Sequence, residues 1–141
     1  MTECVFHDAP DSLKNAVIFE IVEQAYRNRE RILIYASGDE RAAVLDRLLW
    51  IMKQEAFIPH RIFQSYELNQ DVPVGIVTTE TNPIAARVLI ADGHCGLDFV
   101  GEFDNVHEFV DHTSPEILEI CRKRFSDCRE RKIAVRHRKH A

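Results

Sequence analysis

Glycine and proline are scarce in this chain of 141 residues, five of each, and never adjacent. That composition leaves no room for a collagen-like repeat or a flexible low-complexity linker, so the chain reads as folded throughout most of its length. Also missing is any apolar run of about 18 residues, the length a membrane-crossing helix needs. The first ten residues, MTECVFHDAP, hold neither the basic nor the apolar segment of a leader, and the expectation is a cytoplasmic protein with no membrane partner. The four cysteines, Cys4, Cys95, Cys121 and Cys128, form no CxxC pair, which argues against a disulfide framework and a zinc ribbon. His94 stands beside Cys95, and His107 and His112 follow, but no HxxxH spacing anchors a site, so no metal is expected. Signatures of catalysis and phosphate binding, GxGxxG, GxxxxGK, GxSxG and HExxH, are absent, and neither a cofactor nor an enzymatic activity is expected.

What is present suits one globular domain. The hydrophobic share is 45% and the charged share 29%, and the length fits a single core. The net charge of −5 is unevenly spread: residues 115–141 carry nine Lys or Arg against four Asp or Glu, hence +5, which leaves −10 on the first 114. A basic C-terminal segment on an acidic body points to an acidic partner and away from wrapping nucleic acid directly.

Residues 31–60, RILIYASGDERAAVLDRLLWIMKQEAFIPH, organise the rest. Arg31 to Ala36 is an apolar, β-branched run without alternation, the pattern of a strand covered on both faces. After a turn at Ser37, Gly38 and Asp39, a helix opens with Asp39 and Glu40 where the helix dipole favours carboxylates. At about 100° per residue, Ala42, Leu45, Leu48, Leu49 and Met52 share a core stripe, and Trp50 falls on the far side with Ala43, Asp46 and Arg47. An outward Trp50 followed by Phe57, Ile58 and Pro59 fits a partner's anchor site. Cover by a neighbouring loop is the alternative, and periodicity alone does not choose between them. ASGDER, tested as a phosphate loop, fails: it has one glycine and puts two carboxylates where a phosphate would sit. His60 is read as a residue that fixes its loop by hydrogen bonding.

Cys4 to His7 reads as a first strand, and Ser12 as the N-cap of a helix to about Asn28 with Leu13, Ala16, Val17, Ile21 and Val22 on its apolar face. Arg61 to Phe63, Val74 to Thr78 and Arg87 to Ala91 are short strand candidates. No helix of ten residues fits between the first two, so an antiparallel or mixed middle is expected. DFVGEF and VHEFVD, within residues 98–112, suggest an edge strand. The fold class is α/β: three layers, a mixed and mostly parallel sheet with helices on both faces, Rossmann-like without a nucleotide site. A single domain is expected over residues 1–131, followed by a mobile basic tail over 132–141.

Ser114, Pro115 and Glu116 give a strong helix start, with Ser114 as N-cap. The helix runs to about Arg131, with Ile117, Leu118, Cys121, Phe125 and Cys128 on its apolar face and Arg122 and Arg129 flanking Leu118 and Phe125. Guanidinium groups beside an apolar patch suit an acidic peptide with an apolar last residue, whose carboxylate takes an arginine fork. A merely solvated charged face is the other reading.

The strand RILIYA, the helix RAAVLDRLLW, the loop FIPH, the later VLI strand and the basic-aromatic CRKRF helix together resemble the chi subunit family of bacterial DNA polymerase III, in order over nearly the whole chain. The resemblance implies a non-catalytic clamp-loader accessory protein of α/β fold. It would bridge a psi-like clamp-loader subunit to the C-terminal tail of the single-stranded-DNA-binding protein and meet nucleic acid only indirectly. Trp50 and Phe57, with Pro59 beside them, match the family's surface for psi and for a helicase that competes with psi. Arg122 and Phe125 match its motif for the tail, which is acidic and ends in a phenylalanine carboxylate, while Ser126 stands where the related helix carries another lysine. The rival readings are a small nucleotide-binding α/β enzyme and a module that binds single-stranded DNA directly through the basic tail and exposed aromatics.

Overall fold

In a computed structural model of the chain, residues 1–52, 58–64 and 72–140 are described. Along the chain run β1 (Glu3–Asp8), α1 (Asp11–Arg27), β2 (Ile32–Tyr35), α2 (Asp39–Ile51), β3 (His60–Ile62), β4 (Val74–Val77), β5 (Val88–Ala91), α3 (Leu97–Val100), β6 (Asn105–Phe109), α4 (Pro115–Glu130) and β7 (Ala134–Lys139). The strands form one sheet in the order β3-β4-β2-β5-β6-β1-β7, and every neighbouring pair is parallel. Parallel strands are buried on both faces, which is why β2, β4 and β5 are almost wholly apolar. One core packs α1 and α2 on one face through Val17, Val22, Leu45 and Leu49; the other packs α3 and α4 on the opposite face through Phe99, Cys128 and Phe103. This is the expected three-layer α/β arrangement.

Details of the expected layout change. The middle strands, expected to pair antiparallel or mixed, run parallel like the rest, with β3 joined to β4 in register His60 to Val74. Residues 105–109 are not an edge strand: β6 lies between β5 and β1. Its polar side chains are tolerated inside because His107 bonds His7 and Glu108 bonds Arg124. Helix α1 starts at Asp11, so Ser12 lies within its first turn and Pro10 holds the N-cap position without a side-chain cap. Its buried stripe is Val17, Ile18, Phe19, Val22 and Ala25, and Ala16 is exposed.

The basic segment expected as a mobile tail over 132–141 contains β7, paired with β1 from Glu3–Ala134 to Asp8–Lys139. A left-handed residue makes this possible. Lys132 (φ 62°) follows the end of α4, and the Ile133 N–H reaches back to the Cys128 carbonyl at 3.0 Å. This closing turn drops Ile133 into the core, 8% exposed, and aims the chain along β1.

Candidate partner-binding sites

Helix α4 begins as its sequence demands: the Ser114 hydroxyl accepts from the Ile117 N–H at 3.2 Å, with Pro115 in the first turn. Cys121 and Cys128 seat it on the sheet, and Phe125 meets Phe6 of β1 edge to face at 5.2 Å. Deeper still, Arg124 forms a two-pronged pair with the buried Glu108 at 2.7 and 2.8 Å and donates to the Cys95 carbonyl at 2.7 Å. The third cation of CRKRF is therefore structural and unavailable to a ligand.

With α4 fixed this way, its outer turns and the end of β1 enclose a cleft of about 350 Å³. Phe6, Val110, Leu118, Cys121 and Phe125 supply apolar walls, and Arg122, His112, His137 and Asp8 stand around them. Three of the four residues expected to take a peptide tail, Leu118, Arg122 and Phe125, thus share one cavity. Arg129 does not line it: it is exposed one turn beyond Phe125. Asp8 accepts from His112 at 2.8 Å and pairs with His137 at 3.4 Å. Burial works to raise the Asp8 carboxyl, but hydrogen bonds and charge from the two histidines outweigh it and hold the group below its ordinary value. Arg122 is 69% exposed at its side chain and paired only loosely, with Glu119 at 3.7 Å, which leaves its fork able to take a carboxylate.

The second surface lies on α2. Ala42, Leu45 and Leu49 are buried as the periodicity demands, with Leu48 and Met52 packed at the margin. Trp50 faces outward, 53% exposed, next to Ile51 at 56%, and its ring sits edge-on to His60 at 5.0 Å. His60 fixes the loop, contacting the Ile58 carbonyl at 2.8 Å and the Asp46 carbonyl at 3.1 Å. Pro59 is half-buried beside it, Ile58 is buried, and Phe57 lies outside the described residues. Because α2 packs with the β3–β4 side and α4 with the β1–β7 side of the opposite face, the two surfaces are far apart.

At the ASGDER turn, where α/β folds hold phosphates, Asp92 occupies the centre. Its buried carboxylate takes Arg41 at 2.9 and 3.0 Å and Lys14 at 3.2 Å, and Arg41 also donates to Asn15. The cations nearest this turn, Arg41 and Lys14, are thus already engaged by Asp92. Gly93 is required here, since a Cβ would lie 2.9 Å from the Ser37 Cα.

Residues 1–136 match the family model for the DNA polymerase III chi subunit, HolC. The chain belongs to this family. It is 26% identical over 110 residues to the DNA polymerase III subunit chi of Escherichia coli K12, covering 77% of this chain and 74% of that protein. It is 27% identical over 126 residues to the subunit of the same name from Pseudomonas aeruginosa PAO1, covering 89% and 86%. Family membership gives the chain an accessory role in DNA replication.

Several residues of the cleft escaped sequence reasoning. Phe6, Asp8, Val110, His112 and His137 come from three separate segments, and only the order β6-β1-β7 brings them to α4. Asp8, Val110 and His112 lie at or just past the carboxyl ends of β1 and β6, where α/β folds place ligands, whereas Phe6 lies within β1 and His137 within the basic segment, which carried no such signal. A chain of imidazoles on the other face was missed as well. His7 contacts His140 and His107 at 2.9 Å each. Burial first, then the neighbouring histidines and Arg138, pushes His7 down to about 3, and burial with Arg136 and Arg138 pushes His107 down to about 4.

Proposed function

We propose that the chain is a non-catalytic adaptor with two separate docking surfaces, which links the clamp loader of the replicative polymerase to protein-coated single-stranded DNA in the cytoplasm. The observation that carries this reading is the convergence of Leu118, Arg122 and Phe125 on one apolar cleft, with the Arg122 guanidinium at its rim. An apolar terminal side chain fits such walls, and its carboxylate fits the Arg122 fork. The acidic tail of a single-stranded-DNA-binding protein, ending in phenylalanine, has both features. Trp50, Ile51 and Pro59 form the other surface, suited to a psi-like subunit or to a helicase that uses the same site. Joining two partners raises their local concentration without new chemistry, so the mechanism is linkage.

A labelled tail peptide titrated by fluorescence anisotropy tests the reading. Arg122→Ala removes a charge-assisted contact worth about 1.5–3 kcal/mol, equivalent to roughly ten- to hundredfold in affinity. Amidation of the peptide's carboxylate should produce a similar loss, and Trp50→Ala should leave tail binding unchanged. Equal affinity for tail and scrambled acidic peptides would reduce the site to a nonspecific basic patch. Tight binding of naked single-stranded DNA would favour the direct-binding alternative.

A further inference from the structure

Strand β7 ends the sheet, and among the described residues no strand pairs with its outer edge. The direction of its backbone groups follows from the parallel ladder. The Ala134 N–H donates to the Thr2 carbonyl at 3.1 Å and the His140 N–H to the Asp8 carbonyl at 2.8 Å. Hydrogen bonding alternates residue by residue along such a strand. Ala134, Arg136 and Arg138 therefore bond β1, and the N–H and C=O of Val135, His137 and Lys139 point away from the sheet. The opposite edge, β3, has three residues, whereas β7 has six.

Charge decides what this edge can accept. Arg136, Arg138 and Lys139 repel a second copy of the same strand, the usual protection against edge-to-edge association, and attract an acidic one. Neither Arg136 nor Arg138 is ion-paired within the described chain. The edge is also continuous with the α4 cleft, because the His137 side chain lines the cleft and its backbone faces outward. Asp8, Val110 and His112 place the cleft at the carboxyl ends of β1 and β6. A chain whose last residue fills the cleft therefore arrives running parallel to β7.

We propose that β7 is a docking edge for an extended acidic peptide, which adds as an eighth parallel strand beside Val135–Lys139 and places its C-terminal apolar residue in the cleft. The inference rests on the cleft reading above and adds backbone pairing to it. The test uses the full chain and a labelled acidic peptide of about eight residues ending in free phenylalanine, long enough to span β7. Two versions carry N-methyl groups on alternate backbone nitrogens, one in each register, which removes N–H donors without changing charge. One register should weaken binding by about tenfold or more and the other little, since an edge strand reads only every second amide. With the unmodified peptide, amide exchange at Val135, His137 and Lys139 should slow. Both methylated peptides binding like the parent, with Arg122→Ala still damaging, would overturn the edge and leave the cleft reading standing. Equal losses in both registers would overturn the edge too, and no binding of the parent peptide would overturn both readings.

Discussion

Arg122 and Arg124 sit two positions apart in one basic run of α4, yet removing each should fail in a different way. The Arg124 side chain is 13% exposed and that of Glu108 2%, with both carboxylate oxygens engaged at 2.7 and 2.8 Å. Burial pulls the guanidinium down, but the hydrogen bonds and charge of Glu108 outweigh it and hold Arg124 above its ordinary value. Arg124→Ala strands a carboxylate in the core, at a cost of about 3–5 kcal/mol, or roughly 10–17 °C in Tm for a domain of this size. Arg122 has only Glu119 at 3.7 Å, with both side chains more than two-thirds exposed, and such a surface pair contributes about 0–1 kcal/mol. Urea denaturation followed by circular dichroism at neutral pH separates the two. Arg124→Ala should lower the midpoint strongly, and Arg122→Ala should leave it nearly unchanged while abolishing most tail binding. The double variant Arg124→Met with Glu108→Leu should recover part of the loss, because no buried charge remains. An Arg124→Ala protein within about 1 kcal/mol of wild type would refute the seating of α4 on this ion pair.

Trp50→Ala should cost about 1 kcal/mol or less, against 2–5 kcal/mol for Leu45→Ala in the core, and a denaturant melt comparing the two checks the facing of α2. Acid should destabilise the fold through His7 and His107. Above about pH 6.5 both are neutral folded or unfolded; below it the unfolded chain takes protons that the fold refuses, so stability falls by about 1.4 kcal/mol per pH unit for each, towards about 4 for His107 and about 3 for His7. Melts between pH 7.5 and 5 should show a shallower decline for His107→Gln than for wild type. Lys132→Gly should stabilise by about 1 kcal/mol, since glycine adopts the left-handed conformation at little cost; a lower urea midpoint would mean the Lys132 side chain contributes more than its strain.

The elements legible in the sequence were those whose reasons are local. β2 is an uninterrupted apolar run because it is central and covered twice, and α4 announces itself through Ser114 and Pro115, whose cap geometry needs no tertiary partner. Leu118, Arg122 and Phe125 could be grouped because helical spacing alone puts them on one side. The same spacing includes Arg129, yet 11 residues at about 1.5 Å each carry it some 16 Å from Leu118, past the end of the cleft. Strand direction is a different kind of information. The segment between β3 and β4 is short enough to suggest a hairpin, and nothing in either strand's composition states which way its neighbour runs. β6 read as peripheral because His107 and Glu108 look like surface residues until His7 and Arg124, distant in sequence, supply their partners. β7 was hidden by the scarcity of glycine: the left-handed turn that ends α4 is made by a lysine, so the usual stop signal is missing. Its charge concealed it a second time, for an edge strand bearing Arg136, Arg138 and Lys139 has the composition of a solvated tail. The charge that hid β7 is thus part of what would let it meet an acidic chain: among the described residues Arg136 and Arg138 have no ion-pair partner and no strand covers the outer edge they stand on.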